Sequence, residues 1–362
     1  MSEVDADLAA KHDTASHEAL AALRDDVHAL DLEDETPPPK PAWRARVVTG
    51  IRIVAALAIL FYLINTTVHQ WGEVKGVFHR LSWPTLILAF LAVLVGIGGN
   101  MMSWRSAIAD VDHPLPVRTA APIMLVGQLG KYLPGSVWAY VVQADLAKRA
   151  GVPRARAFTA SLVSAGLGIT IGLLLGTIGL PTAFEAAKDD AHGVVGRIAF
   201  IAALIALPFA LVCAHPWVLT RLMQLLLKIL RRPPLDRPLS WRGVLGPGGW
   251  SAVAYLLIGT HLFFLAQGTA VHGFGGWLRC IGVMALALSV SVFVVIAPSG
   301  IGVREFLITI ALGGGGTALA IALASRLLFT VADMVAAGVA AAVGLHRLKM
   351  PAAETEEVTA DT

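Results

Sequence analysis

The stretch that most constrains this chain is residues 128–138, Gln-Leu-Gly-Lys-Tyr-Leu-Pro-Gly-Ser-Val-Trp. It places a helix-breaking Pro134-Gly135 and the charge of Lys131 inside an otherwise apolar run. A distant echo, Ala-Pro-Ser-Gly-Ile-Gly-Val-Arg-Glu, lies at 297–305. Breakers and charges are both unwelcome in lipid, so two such stretches in one chain point to a buried polar site built from broken helices. The surroundings fit that setting. Of 362 residues 56% are hydrophobic and 15% charged, less charge than a soluble domain carries. Repeated apolar runs near 20 residues define an all-α, polytopic membrane protein.

Eight hydrophobic segments follow one another. Full spans are expected at 47–68, 84–104, 157–181, 194–214, 249–271 and 317–345, and interrupted segments at 119–146 and 279–313. Residues 1–44 form an acidic tail with a Pro-rich linker, 45–348 the membrane domain, and 349–362 a second acidic tail. Both tails are expected to be disordered on composition. No apolar h-region marks a signal peptide. Residues 216–232 are amphipathic and are expected in the membrane interface. Cys213 and Cys280 have no disulfide or metal-site spacing. The basic residues sit in loops, where positive-inside bias accounts for them without nucleic acid.

That bias also sets a parity. The loops at 105–118 and 147–156 both belong on the side of the basic N-terminal flank, taken as the cytosol. Segment 119–146 must then return to the side it left. It is too short for two crossings, which need about 40 residues. It is expected to be a re-entrant hairpin with Pro134-Gly135 at its tip. The same count makes 279–313 a hairpin from the opposite face, tipped by Pro298-Ser299-Gly300. The architecture is therefore about six full spans plus two re-entrant helical hairpins, with both termini cytosolic and a pattern that suggests an inverted repeat.

Five charges fall within these segments: Lys131, Arg304, Glu305, Arg326 and Asp333. On a lipid-facing surface each would cost about 2.5–3.5 kcal/mol or more. They are expected to face one another or a wet cavity. Arg326, Thr330 and Asp333 share one helix face over about 10 Å. Ion pairs that only lock helices together are the alternative, with the arginines as partners of Glu305 and Asp333. After each break a half-helix begins, with Ser136 and Ser299 available as caps. Two helix N-termini and three cations make a site for an anion, phosphate above all. His261 is expected to be a core histidine, and Tyr132 and Trp138 packing or interfacial residues. The glycine-rich faces at 96–99 and 166–176 would permit a homodimer.

GKYLPGSVW (130–138), PSGIGVREFLI (298–308) and SRLLFTVADM (325–334) together resemble the lysylphosphatidylglycerol synthase transmembrane, or flippase-like, family. The resemblance covers roughly residues 45–348. It implies a multi-span fold that moves charged or phosphate-bearing lipids between leaflets. The best-known members are fused to a soluble aminoacyl-transferase domain, which is not expected here, so the chain should not itself synthesise aminoacyl lipid. Carried over by motif position, the site residues are Lys131, Pro134 and Gly135, then Pro298, Gly300, Gly302, Arg304 and Glu305, then Arg326 and Asp333. The resulting expectation is a transporter of a bacterial plasma membrane, without cofactor or metal, acting on lipids with anionic head groups. The alternative is a membrane subunit that presents lipid to a separate soluble transferase docked on the basic stretch 215–247.

Overall fold

The computed structural model describes residues 81–111, 113–132, 138–186, 214–229, 238–269, 271–293 and 302–345, with positions 76, 208, 212 and 348. The chain divides into units 1–53 and 54–362, and all described residues belong to the second. The expected spans at 47–68 and 194–214, the two tails, Cys213 and both break tips (133–137 and 294–301) lie outside the described residues.

The described residues are helical throughout, with no strand among them. They form α1 (Trp83–Asp110), α2 (Val117–Ala121), a π-helical turn (Pro122–Val126), a 3-10 turn (Gln128–Tyr132), α3 (Trp138–Arg149), α4 (Arg154–Ala186), α5 (Pro216–Ile229), α6 (Trp241–Leu265), α7 (Gly273–Phe293), α8 (Val303–Ala311) and α9 (Gly315–Gly344). Among them α1, α4, α6, α7 and α9 are long and apolar enough to cross a membrane. At 1.5 Å per residue, the 28 residues of α1 extend about 42 Å, more than the ~30 Å hydrocarbon core.

The burial pattern is that of a protein solvated by lipid. On α9, Leu327, Val331, Val335, Val339 and Val343 recur every fourth residue and are exposed, while Ser325, Phe329 and Asp333 are buried. In water such an apolar stripe would be an adhesive patch. In a bilayer it is the outer surface, and the polar face turns inward because lipid cannot hydrogen-bond to it.

Small residues let the long helices approach closely. A Cβ on Gly99 would lie 3.1–3.3 Å from Ala254, and one on Gly96 would strike the Ile258 side chain, so α1 presents bare backbone to α6 here. Gly172 on α4 faces Ser289 and Ala285 of α7 in the same way. Gly96, Gly99 and Gly172 thus serve packing within the chain, while a Cβ on Gly98 would meet nothing within 4 Å. One end of the α1–α6 contact is tied electrostatically. Ser240 caps α6 by accepting from the Gly243 N–H, and its hydroxyl donates to Asp110 at the end of α1 (2.8 Å). A carboxylate is unfavourable at a helix C-terminus but favourable beside the N-terminus of α6.

The interrupted segments are not built alike. In the first, Pro122 lacks the N–H that would bond the Arg118 carbonyl, and the helix passes through a π turn and then a 3-10 turn. Gly127 then lies against the Cα of Gln143, and Gly130 against Trp138 and Ala139. These contacts bring the arms before and after 133–137 side by side. In the second, α7 starts at Gly273, ahead of the expected Arg279, and its 21 residues have the length of a full crossing. Only nine residues form α8. The long arm follows from the end of α6 at Leu265, earlier than the expected Val271, which frees Gly273–Cys280 for α7. The arms are antiparallel, since the Arg279 guanidinium near the start of α7 donates to the Ala311 carbonyl at the end of α8. Gly313, Gly314 and Gly315, all at positive φ, reverse the chain into α9.

The amphipathic α5 buries Leu219, Met223 and Leu227 and leaves Trp217, Leu222 and Leu225 exposed. The stripe through Leu222 and Leu225 thus faces away from the protein, as an interfacial helix requires.

A close approach of a helix glycine to a neighbouring backbone is testable. A Cβ on Gly259 would come within 2.3 Å of the Ile281 Cα, whereas one on Gly98 would meet nothing within 4 Å. Gly259→Ala should destabilise the detergent-solubilised protein by about 1–3 kcal/mol as α7 is forced away. Gly98→Ala should be neutral or slightly stabilising. Equal thermal unfolding of the two variants would contradict this packing.

Candidate functional site

A cavity of ≈ 510 Å³ lies among the helices, inside the range usual for small-molecule sites. Its wall includes Lys131 and Tyr132 from the 3-10 turn, Arg304 from α8, and Arg326, Thr330 and Asp333 from α9. The structure thus gathers four of the five charges singled out from sequence on one surface, with Glu305 fully buried behind them. Gly302, also singled out, is described but does not line the cavity. Pro134, Gly135, Ser136, Pro298, Ser299 and Gly300 lie outside the described residues.

The charges pair across the fold. Lys131 Nζ and the Tyr132 hydroxyl both reach Asp333 Oδ2, each at 2.6 Å. Asp333 therefore pairs with the lysine and not, as expected, with an arginine. The reason is positional: Lys131 and Tyr132 approach α9 from the first interrupted segment at the level of Asp333, about two turns beyond the Arg326–Glu305 pair. Tyr132, read from sequence as an anchor, belongs to this cluster.

Glu305 is bound at both oxygens. Oε1 accepts from Arg326 Nη1 at 2.8 Å and Oε2 from the Gly302 N–H at 2.6 Å. The second bond is the backward half of a capping box, the third helical residue reaching the cap's own amide. Gly302 sits at φ 90°, a conformation that glycine adopts without strain. The cap of α8 is accordingly Gly302 with Glu305 and not Ser299. The anion at this helix start is the protein's own carboxylate.

Two pairs use four charges and leave Arg304. It is 6% exposed and has no ion-pair partner among the described residues. Its Nη2 donates to the Ser325 hydroxyl (2.9 Å), its guanidinium lies over the Phe329 ring (4.4 Å), and its Nε has no hydrogen-bond partner. Ser325 also meets Nε2 of His261 at 2.8 Å, while Nδ1 of His261 bonds the Ile258 carbonyl. A proton on Nδ1 for that carbonyl leaves Nε2 as an acceptor, so the chain of donors runs from Arg304 through Ser325 to a neutral His261. The histidine expected in the core is there, fully buried, but it supports the free cation through Ser325.

The rest of the wall is neutral and polar. Trp104 Nε1 donates to the Ser161 hydroxyl, which donates to Gln143 Oε1, both at 2.8 Å. The Ser103 hydroxyl lies 3.0 Å from those of Ser164 and Ser251. Elsewhere, Asp145 pairs with Arg154. No group of three or more His, Cys, Asp or Glu suited to a metal occurs among the described residues.

The Lys131–Asp333 pair has a measurable signature. Lys131→Met strands a carboxylate whose side chain is 4% exposed. The loss should be roughly 2–3 kcal/mol, below that of a fully buried pair because the lysine is partly exposed. Lys131→Met with Asp333→Asn should recover most of it. Thermal unfolding in detergent gives the coupling, and additive single-variant losses would show that the two groups do not interact.

No curated protein matches the chain. A family model described as the lysylphosphatidylglycerol synthase TM region matches residues 47–341. The matched span takes in both interrupted segments and the charged face of α9. The chain is therefore a multi-pass membrane protein that belongs to the lysylphosphatidylglycerol synthase TM region family.

Proposed function

We propose that the domain moves an anionic, phosphate-bearing lipid between the leaflets of a bacterial plasma membrane, acting as a transporter and not as an enzyme. The observation that carries this reading is Arg304. A desolvated cation is costly without a counterion, and here it lines a cavity with one nitrogen unbonded and no carboxylate paired to it. A phosphate seated there would complete the charge balance through charge-assisted, forked hydrogen bonds. Lys131 and Arg326, each partly exposed beside it, would add to the positive field while Asp333 and Glu305 hold them in place.

The same reading takes the two interrupted segments as re-entrant hairpins entering from opposite faces, each returning to its own side. Motion of one hairpin half against the other would open the cavity to either leaflet in turn, as in transporters built from inverted repeats. Both termini would then be cytosolic. The side-by-side arms around 133–137 and the antiparallel α7 and α8 support this geometry.

Arg304→Gln, reconstituted into proteoliposomes, should lower translocation of a fluorescent phosphatidic acid or phosphatidylglycerol by at least about tenfold. That corresponds to losing one hydrogen bond to a charged group, ~1.5–3 kcal/mol. Arg304→Lys should fall between, since an ammonium keeps the charge but not the fork. Wild-type rates in Arg304→Gln protein that unfolds normally would remove this site. Activity that appears only with a co-purifying transferase would favour the presenting-subunit reading.

A further inference from the structure

The charged cluster covers only part of the cavity, and a bare phosphate would leave most of the ≈ 510 Å³ unused. The remainder of the polar wall includes Asn100 on α1, Gln128 of the 3-10 turn, Ser164 on α4 and Ser251 on α6. Their hydrogen-bonding capacity is not exhausted by the protein. Ser103, Ser164 and Ser251 hold one O–H and two lone pairs each. Their two mutual bonds are the only ones they make among the described residues, so one donor and several acceptors are left over. The Asn100 carboxamide has no hydrogen bond among the described residues, and Gln128 Oε1 is buried without a partner. Groups of this kind are satisfied by water or by ligand. Whatever displaces the water must supply donors and acceptors in return. A hydroxyl does both, as does each carboxamide.

The wall is equally informative about charge. It carries three cations and a single carboxylate, Asp333, whose Oδ2 already receives both Lys131 and Tyr132. An ammonium entering this cavity would meet like charge, and the one carboxylate there is already paired with Lys131.

We propose that the ligand's phosphate bears an uncharged polyhydroxyl group, a polyol or sugar, read by Asn100, Gln128, Ser164 and Ser251, and that head groups bearing an amino-acid ammonium are disfavoured. This rests on the phosphate reading of Arg304 and names the class of head group. It places discrimination on α1, α4 and α6, away from the cations.

The test compares acyl-labelled phosphatidylinositol, phosphatidic acid and lysylphosphatidylglycerol in proteoliposomes containing the full chain. Phosphatidylinositol should move at least about tenfold faster than either of the others. Ser164→Ala with Ser251→Ala, and separately Asn100→Leu at its half-buried position, should each reduce the phosphatidylinositol to phosphatidic acid ratio about tenfold. Arg304→Gln should slow every lipid and leave that ratio in place. An unchanged ratio in both wall variants, or lysylphosphatidylglycerol moving as fast as phosphatidylinositol, overturns the proposal. A wild-type protein that moves no lipid would refute translocation alone. Binding to the detergent-solubilised chain then decides the head-group class. Inositol 1-phosphate should bind at least about tenfold tighter than inorganic phosphate, and the wall variants should erase the difference. Equal affinities in the wild type overturn the inference whatever the transport result.

Discussion

Glu305 holds three parts of the structure together, and the character of the cavity follows from it. One oxygen takes the amide of Gly302 and so starts α8, and the other takes Arg326 and so joins α8 to α9. A fully buried carboxylate is tolerable only when its lone pairs are met in this way. Because Glu305 is consumed by its neighbours, it is not available to Arg304, the next residue before it. With Asp333 taken by Lys131 and Tyr132, the cluster keeps one cation in excess, and that excess faces the cavity. Among the described residues the site is thus short of one counter-charge. A set of ion pairs that only locked helices together would have closed with equal numbers of each sign.

Close helix packing decides where the neutral part of the wall lies. Gly96 and Gly99 bring α1 against Ala254 and Ile258 of α6. One turn further along α1, Ser103 reaches Ser251, the residue three before Ala254. Helices separated by larger side chains at Gly99 could not have brought those hydroxyls to 3.0 Å. The small residues that draw the backbones together are therefore also what makes the hydroxyl cluster. This is a use of glycine stripes different from the intermolecular one their spacing suggests.

Much of the charged site was legible because its signals are local. Arg326, Thr330 and Asp333 share a face by helical spacing alone, and a charge next to a Pro/Gly break in an apolar run is conspicuous. Which charge meets which was not legible. Lys131 and Asp333 lie some two hundred residues apart in sequence, and an Asp on the same helix face as an Arg two turns earlier invites the wrong pairing. Tyr132 was read as an anchor because a tyrosine near a membrane break looks the same in either role. Ser103, Ser164 and Ser251 sit on three helices, and each alone is an ordinary helical serine. The long first arm of the second break has a local signal too: Gly268 and Gly273, both at positive φ, stand between the end of α6 and the body of α7, ahead of the expected Arg279.

The irregular stretch before the first break explains how neutral and charged side chains come to share one cavity. In a 3-10 turn, side chains three apart lie in line along the axis, with a rise of about 2 Å per residue. Over residues 128–132 this sets Gln128 and Lys131 on one edge about 6 Å apart, with Tyr132 beside the lysine. An α-helix would bring the two closer along the axis and rotate them by some 60° relative to each other. Gly130 falls on the side that meets α3, where the Ala139 backbone leaves no room for a Cβ. The glycine therefore lets the arm press against its partner while the two polar side chains turn the other way. Regular helix on both sides of the break would have preserved every backbone hydrogen bond. The departure from it aligns an unsatisfied amide oxygen with an ammonium, and so joins the polar wall to the cations.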